Sequence, residues 1–338
     1  MYEAFYNLHA KPFQLNPDPR FFYGSRGHMR VMSYLEYGLH QGEGFIVITG
    51  EIGAGKTTLV RNLFRELDTE HVVAAHLVST QLDADDTLRM VVAAFGLPHE
   101  DLNKATLLGR LETFLLSLHN QGKRALLLVD EAQNLTPRAV EELRMLSNFQ
   151  HGEKSLLQSF LLGQPEFRNT LQSEGMQQLR QRVIASYHLG PMDEPETRAY
   201  IEHRLQTAGW KGDPSFSADA FSAIYNYTGG IPRKINTLCD RLMLLGYLED
   251  MHAFGEAAVK EVIADLVGEV AGGNPPQGTV LDVGVDVLSE DEDFEIQSNL
   301  NKLESRISQM EKSVIKVLKL LREILALPSV ERLRREDR

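Results

Sequence analysis

Eight residues, Gly50-Glu51-Ile52-Gly53-Ala54-Gly55-Lys56-Thr57, lie between the apolar run Phe45 to Thr49 and a stretch of helical periodicity from Thr58 to Leu67. A buried strand that turns through glycines straight into a helix constrains this chain more than any other feature. The glycines let backbone N–H groups turn inward around phosphate oxygens, and the helix N-terminus adds a favourable dipole. Lys56 supplies charge to the terminal phosphates and the Thr57 hydroxyl is suited to ligand Mg²⁺, with Thr58 following as a further nucleotide contact. The pattern implies a nucleoside triphosphate, expected to be ATP, bound with Mg²⁺.

Further apolar runs at Val72 to Val78, Ala125 to Val129 and Ser159 to Leu162, with a weaker one at Ala185 to Leu189, alternate with helical patterns. The helices are expected at His28 to His40, Ala84 to Phe95, Thr106 to Asn120 and Pro137 to Phe149. Strands separated by helices imply βαβ units and a parallel sheet covered on both faces. The run Ala125 to Val129 ends in Asp130-Glu131, so both carboxylates fall at the C-terminal edge of a strand, where open α/β sheets bind ligands. Asp130 is expected to hold Mg²⁺ and Glu131 to orient and polarise the attacking water. Together with the phosphate loop, the pair makes hydrolysis the expected outcome, beyond binding.

Three arginines and a glutamine extend this set. Gln164 follows the next strand and either touches the γ-phosphate or the lytic water, or caps the strand as a turn residue. Arg180 and Arg182 precede the last strand; each is either a surface residue or a stabiliser of phosphoryl charge, in its own subunit or the next. Arg233, in Gly229-Gly230-Ile231-Pro232-Arg233, enters a helix of a second domain and either projects towards the nucleotide or forms a salt bridge there.

That second domain starts where strand patterns stop. From Glu194 the periodicity is helical only, with helices expected at Glu196 to Ala208, Ser217 to Tyr227, Pro232 to Tyr247 and Glu256 to Val270. The expected layout is an N-terminal extended strap (1–27), an α/β nucleotide-binding domain (28–192) and a helical lid (193–270). A flexible acidic linker (271–293), a heptad helix (294–327) and a charged tail (328–338) follow. In the heptad stretch Ile296, Leu300, Leu303, Ile307, Met310, Val314, Val317, Leu321 and Ile324 recur at spacings of four and three, the mark of a coiled coil. The alternative is a helix docked onto the chain's own body.

A formal net charge of −12 argues against a general nucleic-acid binder, whose affinity rests on Lys and Arg. The single cysteine, Cys239, excludes an intrachain disulfide and reads as a buried thiol. The N-terminus lacks a signal peptide pattern and no apolar run approaches a membrane span, so a cytoplasmic location is expected, with any membrane association made through partners.

Phosphate loop, Asp-Glu strand end, polar residue on the following strand and Gly-Ile-Pro-Arg in a helical lid together resemble the AAA+ ATPases. The opening Pro12-Phe13 and Asn16-Pro17-Asp18-Pro19-Arg20-Phe21-Phe22-Tyr23, with Leu35-Glu36-Tyr37-Gly38-Leu39, is similar to the general secretion pathway protein A (ExeA-like) branch. So are Val129 to Leu135, Glu142 to Asn148 and Gly163-Gln164-Pro165-Glu166-Phe167. Within it, the chain resembles most the secretion ATPase of exosortase (XrtA/PEP-CTERM) loci. The resemblance implies Lys56, Thr57, Asp130 and Glu131 as the catalytic set, Gln164 as a first sensor and Arg233 as a second. It also implies ATP-bridged homo-oligomers and partners in bacterial protein or exopolysaccharide export. Secretion-pathway relatives that reach the periplasm carry a membrane span and a peptidoglycan-binding domain after this core; the acidic linker and heptad stretch stand there instead. Transposition regulators share the core and supply an alternative as DNA-associated ATPases, and a nucleotide-gated assembly switch is a third.

Overall fold

The computed structural model describes residues 1–78 and 83–271, which fall in one compact unit. Five strands form a parallel sheet: β1 (Phe45–Gly50), β2 (Val72–Val78), β3 (Arg124–Asp130), β4 (Leu157–Gly163) and β5 (Val183–Leu189). Their order is β2-β3-β4-β1-β5. β1 and β4 are buried along their whole length, as parallel strands covered on both faces must be, which is why they read as apolar runs. Among the described residues β5 pairs only with β1, and it alternates between half-buried and exposed positions. That edge position explains its weak sequence signal, and it begins at Val183, two residues before the expected start.

Helices α1 (Arg26–Gln41) and α2 (Lys56–Glu66) cover one face, where Val31, Leu35, Leu59 and Leu63 meet Ile46, Ile48 and Leu128. The other face packs under α3 (Ala84–Ala94), α4 (Lys104–Asn120) and α5 (Pro137–Leu146), through Leu88, Leu111 and Leu143 against Val47, Leu127 and Leu161. A short α6 (Glu166–Gln172) follows β4. Ser25, Asp83, Asn103 and Thr136 cap helix starts by accepting a backbone N–H three residues on. The Ser25 cap starts α1 two residues before the expected His28. α5 stops at Leu146, short of the expected Phe149, because the chain turns into a small antiparallel hairpin, Gln150–His151 with Lys154–Ser155. Polar two-residue strands leave no periodicity to read.

The lid contains α7 (Glu194–Thr207), α8 (Ala218–Thr228), α9 (Pro232–Leu248) and α10 (Glu256–Ala271). The Asp193 and Glu196 side chains form a reciprocal capping box at the start of α7. A purely helical lid is corrected in one respect: Ser215–Phe216 and Ala253–Phe254 pair as a short parallel ladder. The N-terminal segment also departs from a plain extended strap. Tyr2–Phe5 is a helical turn and Pro19–Phe21 a tight 3-10 turn. Tyr2, Tyr6, Phe13 and Phe21 are buried in the same apolar core as Ile201, Leu205, Leu238 and Cys239. The aromatic residues of the segment thus complete the lid's core. Burial raises the Cys239 pKa and keeps the thiol protonated.

Among the described residues no helix is long and apolar enough to cross a membrane. The expected linker beyond Ala271, the heptad stretch 294–327 and the tail 328–338 lie outside the described residues.

Candidate active site

The loop from β1 to α2 needs its glycines for conformation and for space. Gly53 and Gly55 have φ of +83° and +98°, the left-handed region that other residues adopt only under strain. A Cβ on Gly55 would lie 2.7 Å from His28 Nε2, and one on Gly53 would lie 2.5 Å from the Arg233 Cβ. α2 begins at Lys56 with no side-chain cap, so its first N–H groups face the loop, the arrangement that favours an anion. The Lys56 ammonium donates to the Gly50 carbonyl at 2.5 Å and the Glu51 carbonyl at 3.0 Å. Burial lowers its pKa, an effect opposed by the carboxylates of Glu131 and Asp130.

The Thr57 hydroxyl donates to Asp130 Oδ2 at 3.2 Å. Burial pushes the Asp130 carboxyl above its ordinary value; the Glu131 N–H that it accepts opposes the rise, and the Glu131 charge adds to it. A buried carboxylate beside a hydroxyl offers two hard oxygen donors of the kind magnesium takes, and a cation there would favour the ionised form of Asp130. Among the described residues no group of three or more His, Cys, Asp or Glu is able to hold a metal alone. An ion held by Thr57 and Asp130 would complete its shell with phosphate oxygens and water. The residues present fit Mg²⁺.

Glu131 departs from the strand at once. Its φ and ψ are 55° and 40°, left-handed for a residue with a side chain, a conformation costing on the order of 1 kcal/mol and concentrated at functional sites. The turn is held because Asp130 Oδ1 accepts the Glu131 N–H at 2.9 Å and the Glu131 carbonyl accepts the Asn134 N–H at 2.9 Å. The Glu131 carboxylate accepts a hydrogen bond from Gln133 Nε2 at 2.6 Å and a long one from Gln164 Nε2 at 3.4 Å. Gln164, at the C-terminal end of β4, therefore meets Glu131 directly, and its own N–H donates to Gln133 Oε1 at 2.9 Å.

From the lid, the Arg233 backbone N–H donates to the Gly53 carbonyl at 3.2 Å, and the start of α9 packs against the phosphate loop. A cavity of about 410 Å³ joins these parts. Its walls include Ile52, Gly53, Gly55, Lys56, Thr57, Thr58, Glu131, Gln164 and Arg233, and at its far end the strap residues Gln14 to Asp18 and Phe21 to Tyr23. Glu51 and Ala54 complete the loop, Ala54 buried and Glu51 exposed.

Arg180 and Arg182 are not brought to this cavity. The Phe45 N–H donates to the Arg182 carbonyl, which puts both arginines at the N-terminal edge of the sheet, the opposite end of β1 from Gly50. The Arg180 guanidinium donates to the carbonyls of Leu171 and Ser173, and Arg182 to the Ser147 hydroxyl. The own-subunit half of the expectation for these two is therefore corrected by sheet polarity: strands that end at the site begin a strand's length away from it.

Sequence reasoning missed three supporting residues. His28 is buried, receives the Ser25 hydroxyl on Nδ1 at 2.7 Å and donates from Nε2 to the Ala54 carbonyl at 3.1 Å. Its neutral form therefore props the phosphate loop from below. Arg204 is buried under the strap, donating to the Pro12 and Gln14 carbonyls and lying 5.1 Å from the Phe21 ring. Gln133 is the third. His28 and Arg204 act on segments distant in sequence, and Gln133, although inside the Val129 to Leu135 stretch, takes its role from the Gln164 N–H that the fold brings to it.

Comparison with known proteins adds the family. The AAA domain family model matches residues 39–171. General secretion pathway protein A of Aeromonas hydrophila is 39% identical over 253 residues, covering 75% of this chain. The core is an ExeA-like AAA+ domain. This chain spans 46% of that relative's own length. Among solved structures, the AAA+ core is similar to the Aeropyrum pernix ORC2 protein (TM-score 0.57, 15% identity, 75% of this chain and 71% of that one). Drosophila ORC bound to DNA gives a TM-score of 0.57 at 16% identity, covering 77% of this chain and 66% of that one. At such identities the likeness concerns the fold of the AAA+ core alone.

Proposed function

We propose that this AAA+ protein binds ATP with Mg²⁺ and hydrolyses it, as an oligomer of identical copies serving bacterial export across the cell envelope. One observation carries the chemistry: Lys56, Thr57, Glu131 and Arg233 line a single cavity, and Thr57 is joined there to the buried Asp130. In this reading the loop amides and Lys56 hold the phosphate chain and offset its charge. Thr57 and Asp130 would hold Mg²⁺, which would supply further positive charge to the phosphate oxygens. Glu131 orients a water and takes its proton as the water oxygen bonds to the γ-phosphorus; the bond to the bridging oxygen breaks, leaving ADP and inorganic phosphate. Gln164 aligns the same water. Arg233 contacts the nucleotide from the lid, so that hydrolysis is felt as lid movement. Arg180 and Arg182 serve, if subunits stack edge to cavity, the nucleotide of the next copy.

The export setting is supported by the 39% identity to a relative named for the general secretion pathway. The finer reading, a protein- or polysaccharide-export machine of the exosortase type with the protein cytoplasmic and docked at the inner membrane by partners, is supported by the motif resemblance. A phosphate-release assay with MgATP tests the core claim. Wild type is expected to release phosphate; Glu131→Gln is expected to lose about 100-fold or more in rate while retaining ATP, and Lys56→Ala to lose ATP binding. Wild-type protein that neither binds a fluorescent ATP analogue nor releases phosphate at any concentration would sink the proposal.

A further inference from the structure

We infer that Gln133 is a positioning residue for hydrolysis: its amide sets the Glu131 carboxylate and locks it to the loop that follows β4. The inference rests on the proposed ATPase reading and deepens it. The Gln164 backbone N–H is a donor only, so the Gln133 atom 2.9 Å from it must be the amide oxygen. The other end of the amide is then Nε2, and it lies 2.6 Å from Glu131 Oε2, an acceptor when ionised. Each end of one planar group is thus committed, and neither the amide nor the carboxylate is free to swing without breaking a charge-assisted bond.

The backbone alone does not aim Glu131. Left-handed at φ 55°, it leaves the strand direction immediately, and its side chain needs a second anchor. Gln133 supplies that anchor from the tight turn Ala132–Asn134, itself pinned by the fully buried Ala132. The seat is close: a Cβ on Gly163 would come within 3.3 Å of Gln133 Oε1. Gln164 adds only a 3.4 Å contact to the same carboxylate oxygen, so the shorter bond from Gln133 is the stronger restraint. A shift of the Gly163–Gln164 segment is therefore transmitted to Glu131 chiefly through the Gln133 amide.

Two substitutions separate this from a structural role. Gln133→Glu keeps an oxygen to accept the Gln164 N–H but removes the donor to Glu131; Gln133→Ala removes both. The expected result is a fall in kcat of about 10- to 100-fold for both variants, the scale of a misplaced catalytic group. The affinity for a fluorescent ATP analogue is expected to stay within about twofold and Tm within a few degrees, because neither the phosphate loop nor the core is touched. Gln133→Glu turning over at the wild-type rate would overturn the inference. So would a loss of ATP affinity in both variants as large as the loss of kcat. Failure of the wild type itself to hydrolyse ATP would instead overturn the functional reading beneath it.

Discussion

His28 shows how a single buried side chain props a loop it does not belong to. Its Nε2–H holds the Ala54 carbonyl and its Nδ1 takes the Ser25 hydroxyl, so only the neutral ring satisfies both contacts. Burial lowers its pKa below the ordinary 6.5, outweighing the Ala54 carbonyl that favours the charged form. The unfolded chain therefore binds more protons than the folded one as pH falls below about 6.5, and stability declines through that window while it is level above it. Urea titrations at about pH 7 and about pH 5.5 should show a larger loss for wild type than for His28→Gln, which retains an N–H donor and cannot titrate. Equal losses in the two proteins would exclude His28 as the source. At Lys56 and Asp130, too, burial weakens each charge; the carboxylates of Glu131 and Asp130 oppose it at Lys56, and the Glu131 N–H and the Thr57 hydroxyl oppose it at Asp130.

At the level of elements, the join between the phosphate loop and α9 is a tight contact. Gly53 has no room for a methyl group against Arg233, and its φ of +83° penalises any side chain. Gly53→Ala should therefore cost about 1 kcal/mol or more in stability and at least about tenfold in ATP affinity, read by thermal unfolding and by equilibrium binding. Wild-type affinity in that variant would mean that the loop and lid part without consequence. Element polarity also explains Arg180 and Arg182. Both stand just before β5 in sequence, yet the parallel register of β1 and β5 sends them to the sheet edge away from Gly50. Linear proximity to a strand says nothing of which end meets the ligand until strand direction is known.

For the whole molecule, the cavity takes its floor from the sheet edge, one wall from the lid and its far end from the N-terminal segment. These parts are also tied outside the cavity: Arg26, at the start of α1, pairs with Asp193 and Glu196 at the start of α7. Tyr2, Tyr6, Phe13 and Phe21 bury their rings in the lid core, and such side chains contribute roughly 1.5–3 kcal/mol each when buried. The heptad spacing from Ile296 to Ile324 carries an expectation about assembly at this scale. Removing residues 294–338 is expected to lower the mass seen by light scattering, or to abolish partner co-purification, and to leave ATP binding intact. An unchanged mass with partners retained would refute self-association and docking through that stretch.

Residue identity and short-range spacing were sufficient for the phosphate loop, the Asp130-Glu131 strand end, four of the five strands and the helical nature of the lid. Those features are legible because each rests on local physics: glycine's freedom at positive φ, apolar runs that only a covered parallel strand tolerates, and helix periodicity. The edge strand β5 was legible only in part, since half its residues face solvent and break the apolar run. Gln133, His28, Arg204 and the strap's place in the lid core were decided by tertiary structure alone. Each acts across a turn or between segments distant in sequence, as Arg204 does on the Pro12 carbonyl and His28 on that of Ala54. Hydrogen bonds of that kind depend on where the folded chain returns, and no local pattern encodes the return.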